Sequence, residues 1–404
     1  MKAVGIVVEY NPFHNGHAFH LNAAKRISNN DVVIAAMSGN FLQRGEPALM
    51  TKWARTEMAL AAGVDIVFEL PYQFATQKAE TFANGAVSIL AEAGCEALCF
   101  GSEAGDMDLF LNTLHFLEKN DTEYQFHIKE LMGQGLSYPS ASAQSFSRLF
   151  PNNEMMDLSK PNNILGYHYL KAVHTNGIPM KVLTVSRSQA AYHDSHFSSD
   201  TIASATSIRK ALFSKDSDIK QIRQFVPEST FERLLQYKRS IGSFQQWESY
   251  WPLLKYRLIS LSKEELRGIY EVEEGIENRL ISAGLKAHSF VDFMNLLKTK
   301  RYTWTRLQRM CVHVLTNTKK AEMKLRDEKV SYLRLLGMTN KGRDFLNKRK
   351  SKLSIPLVSK LSSFQNEQIH LDIKAARVYA LGVKEEAKQL LLEKEFSQPP
   401  IYYQ

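Results

Sequence analysis

Nine residues near the start of the chain, Glu9-Tyr10-Asn11-Pro12-Phe13-His14-Asn15-Gly16-His17, combine groups suited to holding a phosphorylated ligand. Two imidazoles flank Gly16 and a third, His20, follows one helical turn later. Imidazoles pair with or donate hydrogen bonds to phosphoryl oxygens, and a glycine lets a flat base or ribose lie against the backbone. A second constellation, Ser204-Ala205-Thr206-Ser207-Ile208-Arg209, places hydroxyls and an arginine at what reads as a helix start, where backbone N–H groups attract anions. Each has a plainer alternative. Spaced histidines also cap or pack on helices, and a Ser/Thr cap followed by a surface arginine is common. A zinc site is a third alternative for the histidines, but no Cys, Asp or Glu stands beside them in a metal-ligand spacing.

The elements that would position these groups decide between the readings. Apolar, β-rich runs at Ala3 to Val8, Val32 to Met37, Ile66 to Leu70, Ala97 to Phe100 and Lys181 to Val185 predict five strands. Helical spacing near His17 to Ile27, Lys52 to Ala62, Phe82 to Ala93, Asp108 to Glu118 and Asn163 to His174 alternates with them. Gly63, Gly94 and Gly177 stand where several of these helices should stop. Such alternation predicts an α/β fold, a doubly wound parallel sheet covered on both faces. Both constellations then fall at strand ends that open helices, the place where ligands bind in such sheets. Beyond about residue 200 strand signals nearly vanish, and Leu, Lys, Arg and Glu recur at helical spacing through Ile208 to Leu212, Glu228 to Tyr237 and Lys263 to Ile269. The expected division is therefore residues 1–210 as a sheet domain and 211–404 as an all-helical domain.

Charge divides at the same place. Residues 1–200 carry 14 basic and 20 acidic side chains, and residues 201–404 carry 37 and 22, so the net +9 of the chain separates into −6 and +15. A basic bias confined to one half predicts a polyanion partner, nucleic acid before a membrane surface. The densest run, Lys298 to Arg326, holds nine basic residues (Lys298, Lys300, Arg301, Arg306, Arg309, Lys319, Lys320, Lys324, Arg326) against Glu322 alone. Helical register over Tyr302 to Thr316 puts Arg306, Arg309 and His313 on one face, with Leu307, Cys311, Val314 and Leu315 largely on another. Tyr302 and Trp304 are candidates to stack on a base. A second cluster comprises Lys341, Arg343, Lys348, Arg349, Lys350 and Lys352. The alternative is a pair of solvated helix faces. Apolar stretches such as Ala59 to Val64 fall far short of the roughly 20 residues that span a bilayer. The N-terminus shows no cleavable signal pattern, and Cys95, Cys99 and Cys311 form neither a disulfide framework nor a zinc ribbon. A cytoplasmic protein with no membrane association is expected.

The histidine spacing, strand before and helix after, resembles the HxGH signature of the Rossmann-like nucleotidyltransferase superfamily, and Ser204 to Arg209 resembles that superfamily's S-S-T-x-I-R element. The opening VEYNPFHNGH, the loop Ser38 to Pro47, Phe100-Gly101-Ser102-Glu103, Lys160 to Gly166 and Ser186-Arg187 together are similar to the bacterial tRNA(Met) cytidine acetate ligase family. The resemblance implies ATP and acetate as substrates and N4-acetylcytidine at the wobble position of elongator tRNA(Met) as product. It implies ATP contacts at Val7, Val8, Glu9, Tyr10, Asn11, Pro12, Phe13, Asn15, Gly16, His20, Gly101, Asn162, Arg187 and Ser207. His14, His17 and Arg209 are the candidate catalytic residues. On their own chemistry, Gly101 also reads as a turn, Asn162 as a helix cap and Arg187 as a surface ion-pair partner. Gln43, Arg44 and Glu46 lie in the loop after the second strand, with Arg44 the expected carboxylate or phosphate contact. Lys298, Lys300, Arg301, Arg306, Arg309 and Arg349 are the expected tRNA contacts.

No side-chain set for a metal is predicted, although Mg²⁺ is expected wherever ATP phosphates react. The implied chemistry activates acetate as an acetyl-adenylate that the cytidine N4 amine then attacks, work for positioning and charge rather than a covalent nucleophile. Two competing functions use the same residues: a small-molecule adenylyl- or cytidylyltransferase, which has no need of a helical half at +15, and a non-catalytic RNA-binding protein that senses ATP.

Overall fold

A computed structural model describes residues 1–150, 155–187, 203–214, 218–273, 275–324 and 328–404. The five expected strands form as β1 (Ala3–Val8), β2 (Val32–Ser38), β3 (Ile66–Leu70), β4 (Ala97–Ser102) and β5 (Lys181–Ser186). They pair in parallel in the order β5-β4-β1-β2-β3, so the chain reverses direction across the sheet at β1. Strand periodicity sorts the side chains. Val32, Ile34 and Ala36 enter one core with the helices Ala79–Glu92 and Pro161–Thr175, while Val33, Ala35 and Met37 enter the other with α1 (Asn15–Ser28) and α2 (Lys52–Ala61). Both faces of β2 and β3 are buried, which is why these strands are apolar runs apart from Ser38 and Glu69. The three helix-stop glycines, Gly63, Gly94 and Gly177, all take positive φ.

The expectation of an all-helical second half is corrected. Residues 333–403 return to the sheet as β6 (Leu333–Thr339), β7 (Leu357–Val358) and β8 (Ile401–Tyr403), giving eight strands. β6 lies antiparallel to β3, and both β7 and β8 run parallel to β6. The Leu333-Arg-Leu-Leu-Gly sequence carries helix-forming residues; pairing with a buried neighbour outweighs that local preference. Arg334, in its middle, is held by Glu69 of β3 at 3.0 Å and Glu395 at 2.6 Å, and Lys52 of α2 bonds the same two carboxylates at 2.8 and 2.7 Å. All four side chains are almost fully buried.

A third core, mainly helical, is built from Trp247, Tyr250, Leu254, Leu280, Phe293, Met310 and Val314, among others. It also takes Phe41, Leu42 and Ala48 from the loop after β2 and Tyr72 from just beyond β3. The helical layer is therefore anchored on loops at the carboxyl ends of the strands, the end where the two chemical constellations lie. Among the described residues no helix is long and apolar enough to cross a membrane, and all three cysteines are buried thiols.

Candidate active site

The chain leaves β1 through Glu9 and Tyr10, the latter at φ 50°, passes a cis Asn11–Pro12 bond and enters α1 with His14 as its cap. Nδ1 of His14 accepts from the Gly16 N–H (3.1 Å), and Nδ1 of His17 accepts from the His14 N–H (3.3 Å), a reciprocal capping box made by imidazoles. The two rings stack with centroids 3.8 Å apart, and Tyr10 and Phe13 pack on the far side of His17. Because each Nδ1 accepts, each neutral ring carries its proton on Nε2. Burial, reinforced by Arg187 and Arg209, pushes the His14 imidazole down to about 3. Burial and then His14, Arg187 and His20 hold His17 well below the ordinary value. The pair is uncharged at neutral pH and offers two fixed N–H donors at a helix N-terminus.

Arg55, fully buried in α2, clasps the loops around this corner. Its guanidinium donates to the carbonyls of Glu9 (2.7 Å), Ser38 (3.0 Å), Met50 (3.2 Å) and Gly39. Glu9 in turn accepts from the Gln43 N–H at 2.7 Å, and burial raises its carboxyl above the ordinary range despite that bond. Sequence reasoning missed Arg55; an arginine amid the apolar spacing of Lys52 to Ala61 was the available signal. Arg209 closes the corner from the other side. It donates to the Asn11 carbonyl (2.9 Å) and pairs with Glu46 (2.9 Å), joining the loops after β1 and β2 to the Ala205–Leu212 helix. Ser204 caps that helix by accepting from Ser207 N–H at 3.1 Å, with the two hydroxyls 2.9 Å apart. The plain capping role of this segment is thus realised, while Arg209 reaches Asn11 and Glu46 from the same helix. Arg44, the expected anion contact, is exposed.

On the β4 side the fold gathers Gly101, His20 and Arg187. A Cβ at Gly101 would sit 3.5 Å from Cγ of Arg187 and 3.8 Å from Cδ2 of His20. Burial and Arg187 push His20 down to about 4, and its Nε2 is buried with no partner among the described residues, as is Nδ2 of Asn11. Asn162 is tied elsewhere: its Nδ2 donates to Glu103 at 2.7 Å, and Glu103 also accepts from Asn163 N–H at 2.9 Å, capping the Pro161–Thr175 helix. Glu103 is thus what fixes Asn162 at this edge. Among the described residues no group of three His, Cys, Asp or Glu is placed to hold a metal.

Residues 1–394 match the family model described as HIGH Nucleotidyl Transferase. The chain is 52% identical to the tRNA(Met) cytidine acetate ligase of Bacillus licheniformis and 50% identical to that of Bacillus subtilis, over 100% of this chain and 98% of each relative. The chain belongs to the tRNA(Met) cytidine acetate ligase family. A solved member, Thermotoga maritima TmcAL bound with alpha-thio ATP, superposes with a TM-score of 0.89 at 32% identity, covering 100% of this chain and 99% of that one. The apo crystal form of the same protein gives 0.88.

In this family member the expected tRNA contacts separate by burial. Lys298, Lys300 and Arg301 are exposed on the turn preceding the Trp304–Leu315 helix, and Trp304 is exposed at its start. Arg306 is half-buried, stacked over Tyr302 and 3.9 Å from Glu273. The one-face expectation for that helix is corrected: Arg309 is buried and bonded to Glu271 at 3.0 Å, His313 is buried against the Tyr72 hydroxyl at 2.8 Å, and Tyr302 is itself buried. The helix is enclosed on both sides, since Gly45 of the loop after β2 packs onto the backbone of Gln308 and Arg309. Arg349 packs over Gly94, before β4 begins, which is the opposite end of the parallel strands from His14. Lys341, Arg343, Lys348, Lys350 and Lys352 are exposed, and Arg326 lies outside the described residues.

Proposed function

We propose that this chain consumes ATP and acetate to form N4-acetylcytidine at the wobble position of elongator tRNA(Met). The observation that carries the reading is the uncharged His14–His17 pair at the α1 N-terminus with Arg187 and Arg209 on either side, in a chain akin over its full length to named ligases of this reaction. ATP is held along Val7 to His20, with Gly101 and Arg187 beside the base and ribose, Asn162 at the same edge, and Ser207 and Arg209 on the phosphates. Mg²⁺ would come with the ATP phosphates, where it would supply neutralisation of their charge.

In the first step an acetate oxygen attacks the α-phosphorus, the bond to the β-phosphate oxygen breaks, and pyrophosphate leaves with the electron pair. His14 and His17 donate through Nε2 to oxygens on which charge accumulates, and Arg209 adds a fixed cation; donors already in place need no reorganisation. In the second step the cytidine N4 lone pair attacks the acetyl carbonyl, AMP departs with the acyl C–O electron pair, and N4 releases one proton. Neutral imidazoles suit both steps, since they donate without holding the leaving anion as tightly as a cation would. The exposed Lys298, Lys300 and Arg301 grip the tRNA backbone. The test incubates pure protein with ATP, labelled acetate and elongator tRNA(Met), followed by nucleoside analysis. Acetylcytidine requiring all three is expected; no product, or product only with acetyl-CoA, overturns the reading.

A further inference from the structure

The helix Asn340–Arg349 lies at the amino ends of the parallel strands, the far side of the sheet from His14. Its start is pinned beneath β3. The Thr339 N–H donates to the Asp65 carbonyl at 2.9 Å and its hydroxyl to the Asp65 carboxylate at 3.0 Å, while the other carboxylate oxygen accepts from the Val33 N–H at 2.9 Å. Gly342 then packs so closely that a Cβ there would come within 2.1 Å of the Asp65 carbonyl oxygen. At the other end Arg349 lies over Gly94, in the turn that leads to β4. From β3 to β4 is three strand spacings, about 14 Å, and a helix of ten residues covers about 15 Å. Phe345 and Leu346 enter the first core, so the helix is held along its length.

The charges on this helix run against what the helix itself favours. Residues 340–352 carry six basic side chains and one acid, Asp344, and no further acid comes before Glu367. Lys341, Arg343, Lys348, Lys350 and Lys352 are exposed. Arg343 lies 3.9 Å from Asp344, and among the described residues no carboxylate pairs with the four lysines. Lys348 and Arg349 in the last turn suit the helix dipole. Lys341 and Arg343 do not, since they sit in the first turn, where cations are disfavoured and no acid is present. Lys341 also stands near Lys25 of α1: burial pushes the Lys25 ammonium down, Asp65 raises it, and Lys341 pushes it down again. Cations gathered where the fold gains nothing from them suit a polyanion outside it.

We infer that the Asn340–Arg349 helix is a second tRNA-binding surface, which takes the sugar–phosphate backbone of a part of the tRNA remote from the target cytidine. The inference rests on the function proposed above, whose tRNA is the occupant. The six residues of β1, at about 3.3 Å each, set the helix about 20 Å from the corner at His14. RNA seated at that corner by its anticodon loop meets the helix only with another part of the molecule. Lysines hold phosphates as point charges and read no sequence, so this surface adds affinity and orientation while the base is chosen at the corner. A membrane surface would call for apolar side chains to enter the headgroup layer, and this helix keeps Phe345 and Leu346 in the core.

The experiment measures, across a salt series, binding of full-length elongator tRNA(Met) and of a minimal anticodon hairpin to the full chain. The triple variant Lys341→Ala, Lys348→Ala, Lys350→Ala should bind the full tRNA roughly tenfold more weakly, with the salt-dependence slope lower by about 2 to 3 at roughly 0.7 to 0.9 per phosphate contact. Its hairpin binding should be unchanged. The variant Lys341→Arg, Lys348→Arg, Lys350→Arg should bind both RNAs like the unaltered protein. The melting temperature of the alanine variant should not fall, because the three side chains are exposed and Lys341 opposes the dipole. Unaltered affinity for the full tRNA, an equal loss for the hairpin, or a loss accompanied by a lower melting temperature would overturn the inference, the last by making the lysines part of the fold. Retained tRNA binding with lost binding to phosphatidylserine vesicles would overturn it in favour of a membrane surface. Failure of the ligase reading looks different: the unaltered protein would make no acetylcytidine from ATP and acetate, a readout separate from binding.

Discussion

His14 does two jobs with one ring, holding the α1 N-terminus through Nδ1 and presenting Nε2 to the site. Asparagine is among the best residues at a helix cap, so His14→Asn should keep the cap, which is worth about 1 kcal/mol, while removing the Nε2 donor. Its stability at pH 8 should therefore match the unaltered protein to within about 1 kcal/mol, with turnover lost. Acid separates the two further. A histidine whose folded pKa lies below its unfolded value favours the folded state only when neutral, so stability is full above the unfolded value near 6.5 and falls as pH drops toward the folded values, about 3 for His14 and about 4 for His20. Thermal melts between pH 6.5 and 4 should show a shallower fall for His14→Asn than for the unaltered chain. An equal slope would mean that His14 does not titrate as its burial requires. The corner was legible at this scale because Glu9 to His20 and Ser204 to Arg209 are contiguous segments whose geometry is local. Arg55, Arg309 and Tyr302 were not, since what buries each is a partner far along the chain: the Ser38 and Gly39 carbonyls, Glu271, and the Glu273 carbonyl.

At the scale of elements, the five parallel strands announced themselves as short apolar runs ending in turn residues. β6 did not, because its β character comes from β3 alongside it and from carboxylates that accept Arg334. Lys52, Glu69, Arg334 and Glu395 tie α2, β3, β6 and the Glu385–Ser397 helix at one buried point. Burial pushes the Glu395 carboxyl up, but Arg334 and Lys52 outweigh it and leave the group ionised. Removing one member strands the others in a dry interior, at a cost of about 3–5 kcal/mol. Glu395→Ala should lower the unfolding free energy read from a denaturant titration by that amount, and adding Arg334→Met should recover part of the loss by removing a stranded cation. A loss no larger than that of an average surface substitution would show that water enters the cluster.

For the whole molecule, the division of charge at residue 200 marks a difference of task more than a boundary between bodies, since the basic half completes the sheet of the acidic one. The basic residues also differ in kind. Lys298, Lys300 and Arg301 face solvent, whereas Arg309 neutralises Glu271 inside. The double substitution Lys298→Ala with Lys300→Ala should reduce the salt-dependence slope of tRNA binding by about 1.4, at roughly 0.7 per single-stranded phosphate contact released. Arg309→Ala should instead lower the melting temperature. The reverse pattern would return the grip to the enclosed helix. The antiparallel joint between β3 and β6 pairs residues 265 to 272 positions apart in sequence, from Glu69 with Arg334 to Ile66 with Met338. During synthesis the first five strands are finished long before their sixth neighbour leaves the ribosome. Until then the nascent sheet ends at β3, an unpaired hydrogen-bonding edge with Glu69 lacking Arg334 and Glu395. The ribosome-bound chain thus passes through a stage in which its nucleotide corner is already written but its open flank invites pairing with other chains, a window in which a chaperone has something to cover.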